Sequence, residues 1–353
     1  MLKFYLGLSL MIASLCGAFV FIYIAPVSAQ ASIPADDSKA VILAYLRINE
    51  DAHPDSTLSL QNFKDQIDIL RNEEFHVMSL NDIIDAWNSN TALPPKAIAI
   101  TFDGAYQSIN DGALSYLLDH NIPFTIFIPS DQMQLHNHLD WKTIKTLARN
   151  DLVSFGIAPA SYMHITNLPE AEQENSINRS RIALKKQIGQ ESEFFAYPFG
   201  EVTQNLYNIV EKQGFKAAFG MQSGAAYNGY DRLFLPRFTI TEAYADLDRF
   251  RMLINSYPLP VQGFNQNEME LREPITAINL ALTDFTKKQI NKISCFITDQ
   301  EKPVFLISEK NLTIIPESPI IDDRTRLNCT IPYTNDGSDE VSWRWFGALF
   351  HRP

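Results

Sequence analysis

Strand-like and helix-like segments alternate from residue 40 to about residue 256, and this alternation limits the fold more than any other feature. Six apolar runs have the pattern of strands: AVILAYL (40–46), AIAITFD (97–103), FTIFIPS (124–130), LVSFGIA (152–158), FFAYPFG (194–200) and KAAFGM (216–221). Helical spacing of apolar residues marks the segments 59–75, 107–120, 140–149, 169–189, 203–213 and 242–256. Strands that are apolar throughout are typical of a parallel sheet covered by helices. The pattern predicts an α/β fold with a (β/α) barrel over residues 40–257.

The C-terminal part of the chain has a different pattern. The Pro-rich, polar stretch YPLPVQGFNQNEMELREP (257–274) is typical of a linker, which we place at 258–274. Beyond it, short strand-like runs such as ISCFIT, PVFLIS and NLTIIP alternate with turn residues. Residues 275–353 are therefore expected to form a small β-rich module.

The first 29 residues have the pattern of an export signal. Lys3 gives a positive start, Phe4 to Ala25 is almost purely apolar, and Val27 and Ala29 fit the small positions of a signal-peptidase site. We expect a signal peptide over 1–29 and a linker over 30–39, and an uncleaved membrane anchor is the alternative. Either way the body is exported, to the periplasm or the extracellular space, and meets a membrane only if the segment stays uncleaved.

The net charge limits the class of partner, and the cysteine content predicts a disulfide. The chain of 353 residues has a formal net charge of −12 and no basic stripe, which disfavours a nucleic acid or an anionic membrane surface as partner. Of the three cysteines, Cys16 leaves with the signal and Cys295 and Cys329 remain. In an oxidising compartment this pair predicts a disulfide, with two buried free thiols as the alternative.

One acidic residue stands where the second of the six strands ends. In AIAITFDGAYQSIN (97–110), Asp103 follows the apolar run and Gly104 and Ala105 follow it. The C-terminal ends of parallel strands are where α/β enzymes hold their catalytic groups, so Asp103 is a candidate site residue facing a cleft. The alternative is that Asp103 caps the next helix.

The motif TFDGAY resembles the Thr-Phe-Asp-Asp-Gly-Tyr motif of polysaccharide deacetylases, the NodB-homology or carbohydrate esterase family four group. Other segments agree in order and spacing, among them AYLR (44–47), FGIAPASYMHITNL (155–168), FFAYPFGE (194–201) and LFLPRFTI (233–240). The chain is similar to a degenerate copy of a proteobacterial branch that carries a C-terminal β extension. The resemblance implies a distorted, TIM-like (β/α) barrel and hydrolysis of N-acetyl groups on amino sugars with a divalent metal, usually zinc.

Carried over residue by residue, the resemblance places the general base on Asp103. Arg237 in LFLPRFTI is a candidate orienter and belongs to the residues that would shape the cleft. The metal-binding Asp falls on Gly104, and the two metal-binding His residues fall on Ala158 and Tyr162. A register shifted by two would recover His164 alone, opposite Ala160.

The proton donor of the family is missing as well, because no His occurs between residues 165 and 350 and Leu46 replaces the His of a Tyr-His-Arg motif. We therefore expect no metal cofactor.

The residues that would shape a sugar cleft remain. Aromatic faces stack on sugar rings and carboxylates accept bonds from hydroxyls. The expected substrate-binding residues are Tyr106, Trp141, Tyr162, Tyr197 and Phe199. Because these residues remain while the metal-binding residues are lost, the sequence favours a pseudoenzyme that binds an N-acetylated amino-sugar oligo- or polysaccharide in the cell envelope. An active de-N-acetylase with a rearranged site and a structural envelope protein are the alternatives.

Three histidines and two tryptophans can be interpreted either as structural residues or as ligand-binding residues. His164 is expected to be a hydrogen-bonded structural residue, and His136 and His138 to lie in a solvated loop without metal. Trp343 and Trp345 alternate on a strand, where core packing is favoured over a carbohydrate platform.

Overall fold

The computed structural model describes residues 33–334 and 341–353. The strands of its N-terminal part are β1 Val41–Tyr45, β2 Arg47–Ile48, β3 Thr57–Leu58, β4 His76–Val77, β5 Ala97–Asp103, β6 Phe124–Ile128, β7 Val153–Ile157, β8 Phe194–Ala196, β9 Ala217–Phe219 and β10 Phe238–Thr239. Strands β2 and β3 pair with each other. The other eight strands form one sheet.

That sheet is parallel throughout and curls into a distorted barrel. Its strand order is β10-β1-β5-β6-β7-β8-β9, and β4 also pairs with β5. Beyond β9, a parallel bridge joins Phe219 to Leu235, just before β10. Strands β1, β5 and β6 are buried along their whole length, as their unbroken apolar sequences predict. The predicted fold class is confirmed.

Helices connect the strands. They are α1 Leu60–Asn72, α2 Leu80–Asn88, α3 Gln107–Asn110, α4 Ala113–Asp119, α5 Trp141–Leu147, α6 Glu170–Ile188, α7 Gln204–Lys212 and α8 Leu247–Ile254, with 3-10 turns at Asp36–Ser38, Ser130–Gln134, Ile165–Asn167, Pro198–Gly200, Glu242–Tyr244 and Gln266–Met269. Side-chain caps from Ser59, Asp140 and Thr203 bond the first turns of α1, α5 and α7. The single helix expected over 107–120 is two helices, because Gly112 at the junction has a φ of 114°.

The C-terminal residues form two sheets, which are antiparallel except for one parallel pair of strands. Their elements are β11 Tyr257–Pro258, β12 Ile278–Ala281, α9 Lys287–Ile290, β13 Ser294–Ile297, β14 Val304–Ser308, β15 Asn311–Ile315, β16 Arg324–Thr334 and β17 Val341–His351. One sheet has the order β11-β17-β16-β13, and the other has the order β12-β15-β14. Strand β11, at the end of the barrel segment, pairs in parallel with β17 of the C-terminal sheet. The linker expected over 258–274 stays a prediction.

Cys295 and Cys329 lie directly opposite each other on β13 and β16 and form a disulfide. This confirms the predicted pair. Trp345 is buried with its ring against Phe238, and Trp343 is half-buried. The predicted signal segment 1–29 and linker residues 30–32 lie outside the described residues. No helix within 33–334 and 341–353 is long and apolar enough to cross a bilayer.

Candidate functional site

Asp103 is held by a buried arginine. The carboxylate is the last residue of β5, and Arg237 directly precedes β10, two strands away across β1. The guanidinium Nη1 and Nη2 atoms donate to the two carboxylate oxygens, each at 2.7 Å. Arg237 also donates to the Thr101 hydroxyl at 3.1 Å and the Gly220 carbonyl at 2.9 Å.

Both side chains of this ion pair are 0% exposed. Asp103 therefore does not face an open cleft, contrary to the expectation from the sequence. It does not cap the next helix either, because the N-cap of α3 is Tyr106, without a side-chain bond. Burying two charges is tolerated when the pair is bidentate and its remaining donors are bonded, as they are here.

Tyr106 fills the space beside Gly104. The backbone turns sharply after β5, with φ of 89° at Gly104 and 51° at Ala105. A Cβ atom at residue 104 would lie 2.6 Å from Cε2 of Tyr106, closer than side-chain atoms pack. The position that the family uses for a metal-binding carboxylate thus has no side chain and little room for one.

Tyr106 is in turn covered by two polar residues. The Arg47 guanidinium lies 3.6 Å from the centre of its ring, and the His138 ring lies 4.7 Å away. Burial and the positive charge of Arg47 lower the pKa of His138 to about 4, and burial raises the pKa of Tyr106. His138 is buried, so the expected solvated loop applies only to His136, which is exposed.

Tyr162 and Phe199 form the other wall of the site. Tyr162 has a φ of 43°, and its ring centre lies 5.5 Å from that of Phe199. Its hydroxyl is buried without a hydrogen-bond partner among the described residues, and burial raises its pKa well above the ordinary range. Ala158 is fully buried, and its N–H donates to Ile128 at 3.1 Å.

His164 belongs to a network around Glu201. Its ring stacks on Phe199 at 4.3 Å, and its Nδ1 atom lies 2.8 Å from Glu201. The nearly buried Glu201 carboxylate also accepts from Arg324 of β16 at 2.8 Å. His164 is thus a hydrogen-bonded residue, which agrees with the prediction that it is structural. The sequence alone indicates no role for Arg47 of AYLR or Glu201 of PFGE, because Tyr106, His164 and Arg324, which they contact, are distant in the chain.

Two of the predicted sugar contacts pack against the interior of the protein. Tyr197 is 0% exposed and packs edge-on against Phe195 and Phe234 at 5.0 and 5.8 Å, so its ring is closed to a ligand in this conformation. Trp141 is half-buried at the start of α5 and packs against the core. The structure brings together Asp103, Arg237, Tyr106, Tyr162 and Phe199 at one edge of the barrel.

The residues at this edge do not fit a divalent metal. Gly104 and Ala158 offer no donor atom, and the hydroxyl of Tyr162 is held protonated by burial. In the shifted register, Ala160 again offers none and His164 is bonded to Glu201. Across the described parts of the chain, no group of three or more His, Cys, Asp or Glu side chains is placed to hold a metal ion.

Comparison with known proteins relates part of the chain to one family. A family model described as polysaccharide deacetylase matches residues 90–218. A poly-β-1,6-N-acetyl-D-glucosamine N-deacetylase of Staphylococcus aureus is 22% identical over 225 residues, 60% of this chain and 74% of the relative. The corresponding deacetylase of Staphylococcus epidermidis is 21% identical over 221 residues, 59% of this chain and 73% of its own.

Solved structures share the barrel. The Streptococcus pyogenes deacetylase PplD in complex with acetate aligns with a TM-score of 0.57 at 18% identity, covering 61% of this chain and 98% of that one. IcaB from Ammonifex degensii aligns with a TM-score of 0.54 at 23% identity, covering 60% and 95%. At such identities the structural likeness establishes the fold.

Proposed function

We propose that this chain, which carries a polysaccharide deacetylase domain over residues 90–218, binds N-acetylated amino-sugar polymer without hydrolysing it. It acts outside the cytoplasm, where such polymers lie. The proposal that it is exported rests on the N-terminal sequence pattern.

The burial of the Asp103–Arg237 pair supports the absence of hydrolysis most strongly. A general base must reach the water whose proton it removes, and a carboxylate with both oxygens bonded to a guanidinium at 2.7 Å and no exposed surface does not. The misfit of Gly104, Ala158 and Tyr162 to a metal removes the usual means of polarising the acetyl carbonyl.

The choice of ligand is supported by the relatives and by the wall of the site. Relatives of the chain are named poly-β-1,6-N-acetyl-D-glucosamine N-deacetylases. Phe199 and Tyr162 remain half-buried at the barrel edge, where their rings are partly open to a sugar face. The side chain of His164, stacked on Phe199, is 59% exposed and offers a polar group beside the ring.

One observation favours the active alternative. The buried hydroxyl of Tyr162 has no hydrogen-bond partner among the described residues, and a neutral phenol is a donor of the kind that stabilises an oxyanion. A rearranged de-N-acetylase would require this hydroxyl and Asp103 to become accessible together. No comparable observation favours a purely structural envelope protein.

Binding is tested with an oligomer of β-1,6-linked N-acetylglucosamine by calorimetric titration. Phe199→Leu should weaken binding by about three- to tenfold, because a flat aromatic face is lost. The matched control is Phe296→Leu, since Phe296 is 56% exposed on β13 and far along the chain; it should bind as the unmodified protein does. Failure of the unmodified protein to bind the oligomer, or equal weakening in both variants, would contradict the proposal.

A further inference from the structure

A second cleft lies between the barrel and the C-terminal sheet. Its volume is about 140 Å³, and it lies among the segment after Arg237, helix α8 and strands β16 and β17. Its polar and aromatic lining includes Thr239, Thr241, Arg249, Arg326, Asn328 and Trp345. None of these residues belongs to the site around Asp103.

The two arginines of this cleft have no acidic partner in the part of the chain that the structure describes. Within the described residues, neither Arg249 nor Arg326 lies within 4.0 Å of a carboxylate, whereas Arg324, on the same strand as Arg326, pairs with Glu201. Arg326 donates to the Met221 carbonyl at 2.9 Å. Buried and partly buried charges in folded proteins are generally paired, so two such guanidiniums in one cleft leave a demand for a negative group.

The lining also contains buried polar atoms without a hydrogen bond among the described residues. The Nε atom of Arg249 and the hydroxyl of Thr239 are buried and have no hydrogen-bond partner among the described residues. Burial lowers the pKa of Arg326 to about 10, so it stays charged at neutral pH. The acid that lines the cleft, Asp55, is exposed and forms no ion pair with either arginine.

We propose that this cleft binds the carboxylate of an acidic sugar unit. Guanidinium groups bind carboxylates with paired, charge-assisted hydrogen bonds. Thr239 and Thr241 supply hydroxyl groups for sugar hydroxyls, and Asn328 supplies its amide N–H, since its amide oxygen accepts from Trp345. The half-exposed ring of Tyr244 forms the rim, with the Arg249 guanidinium 4.7 Å from the ring centre. At about 140 Å³ the cleft is smaller than a typical ligand pocket, so it takes the carboxylate end of one sugar unit and leaves the rest of the ring at the rim. This site is independent of the proposed function at the barrel edge.

The proposal is tested by ligand-observed NMR titration with glucuronate, using glucose as the neutral match. We expect saturable binding of glucuronate and none of glucose. Arg326→Gln and Arg249→Gln should each weaken glucuronate binding by about tenfold or more, because each removes a charged donor. Arg251→Gln is the control, since Arg251 lies on the same helix as Arg249 and pairs with Glu73 at 2.8 Å. This variant should bind glucuronate with unchanged affinity.

Thermal melts of all three variants establish that each is folded before its binding is interpreted. Equal binding of glucose and glucuronate, or no saturable binding, would overturn the proposal. An Arg251→Gln protein that loses as much affinity as the other two would also overturn it, because the effect would then be one of overall charge. If inorganic phosphate displaces glucuronate with equal affinity, the cleft is a general oxyanion site and the assignment to a sugar is wrong.

Discussion

At the scale of single residues, Asp103 and Arg237 stabilise each other at the end of β5. Each is an ion with no exposed surface, and the bidentate geometry together with the bonds to Thr101 and Gly220 offsets the cost of removing both from water. Removal of either partner alone would leave the other as a buried, uncompensated charge.

Asp103→Asn should therefore lower the free energy of unfolding by about 3–5 kcal/mol, because it leaves Arg237 buried and unpaired. The measurement is urea denaturation at neutral pH. Asp131→Asn is the control: Asp131 pairs with Arg179 at 2.9 Å in an exposed position, so its loss should cost less than about 1 kcal/mol. Similar costs for the two variants would mean that Asp103 is solvated.

Gly104 is expected to tolerate no side chain. Gly104→Ala should destabilise the protein by more than Gly189→Ala, although both glycines have positive φ, 89° and 76°. At Gly189 a Cβ meets nothing within 4 Å, so that variant reports only the left-handed backbone, about 1–2 kcal/mol. The additional cost at Gly104 measures the contact with Tyr106. If denaturation curves show equal losses of unfolding free energy for the two variants, Tyr106 does not contact Gly104 in solution.

His138 should make stability depend on pH. Its pKa lies at about 4 in the folded protein, below the ordinary value of 6.5, so the unfolded chain takes up the proton first as the pH falls. The contribution of neutral His138 is complete above pH 6.5 and is lost between pH 6.5 and about 4, at no more than about 1.4 kcal/mol per pH unit.

His138→Gln should reduce the decline of unfolding free energy between pH 7 and pH 4.5 without abolishing it, since burial also lowers the pKa of His351. His136→Gln, two residues away and exposed, should leave the decline intact. A His138→Gln protein with the full decline would show that another group causes it.

At the scale of elements, the disulfide ties β13 to β16. Cys295 and Cys329 are 34 residues apart in sequence, and closing such a loop contributes about 3–4 kcal/mol in the chain-entropy model. Reduction, or Cys295→Ser with Cys329→Ser, should lower stability by about that amount. Peptide mapping of unreduced protein should recover the linked Cys295–Cys329 peptide, and recovery of both cysteines as free thiols would contradict the bond.

Most elements could be predicted from the sequence because their signals are local. Helix α1, expected within 59–75, spans Leu60–Asn72, and helix α6, expected over 169–189, spans Glu170–Ile188. The break between α3 and α4 was missed because Gly112 is tolerated within a helical pattern and only the structure reveals its φ. Strand β10 was missed because two residues carry no periodicity.

At the scale of the whole molecule, the candidate site was only partly predictable. The loss of metal-binding residues at Gly104, Ala158 and Tyr162 follows from motif comparison. The packing that replaces these residues does not follow from the motif. Tyr106 covers Gly104 because the backbone turns sharply at residues 104–105, and Arg237 reaches Asp103 from 134 residues further along the chain. The cleft of Arg249 and Arg326 could not be predicted from the sequence either. The net charge of −12 is a sum over the whole chain and does not indicate where two arginines come together.

Acetate release tests the central claim, that this deacetylase fold binds without hydrolysis. The purified protein is incubated with oligomers of β-1,6-linked N-acetylglucosamine, once with added zinc and once with a chelator. Because Asp103 is buried against Arg237 and the metal-binding positions lack donors, we predict no acetate above the protein-free background in either sample. Acetate release that zinc increases and the chelator abolishes would contradict the account and establish a working metalloenzyme.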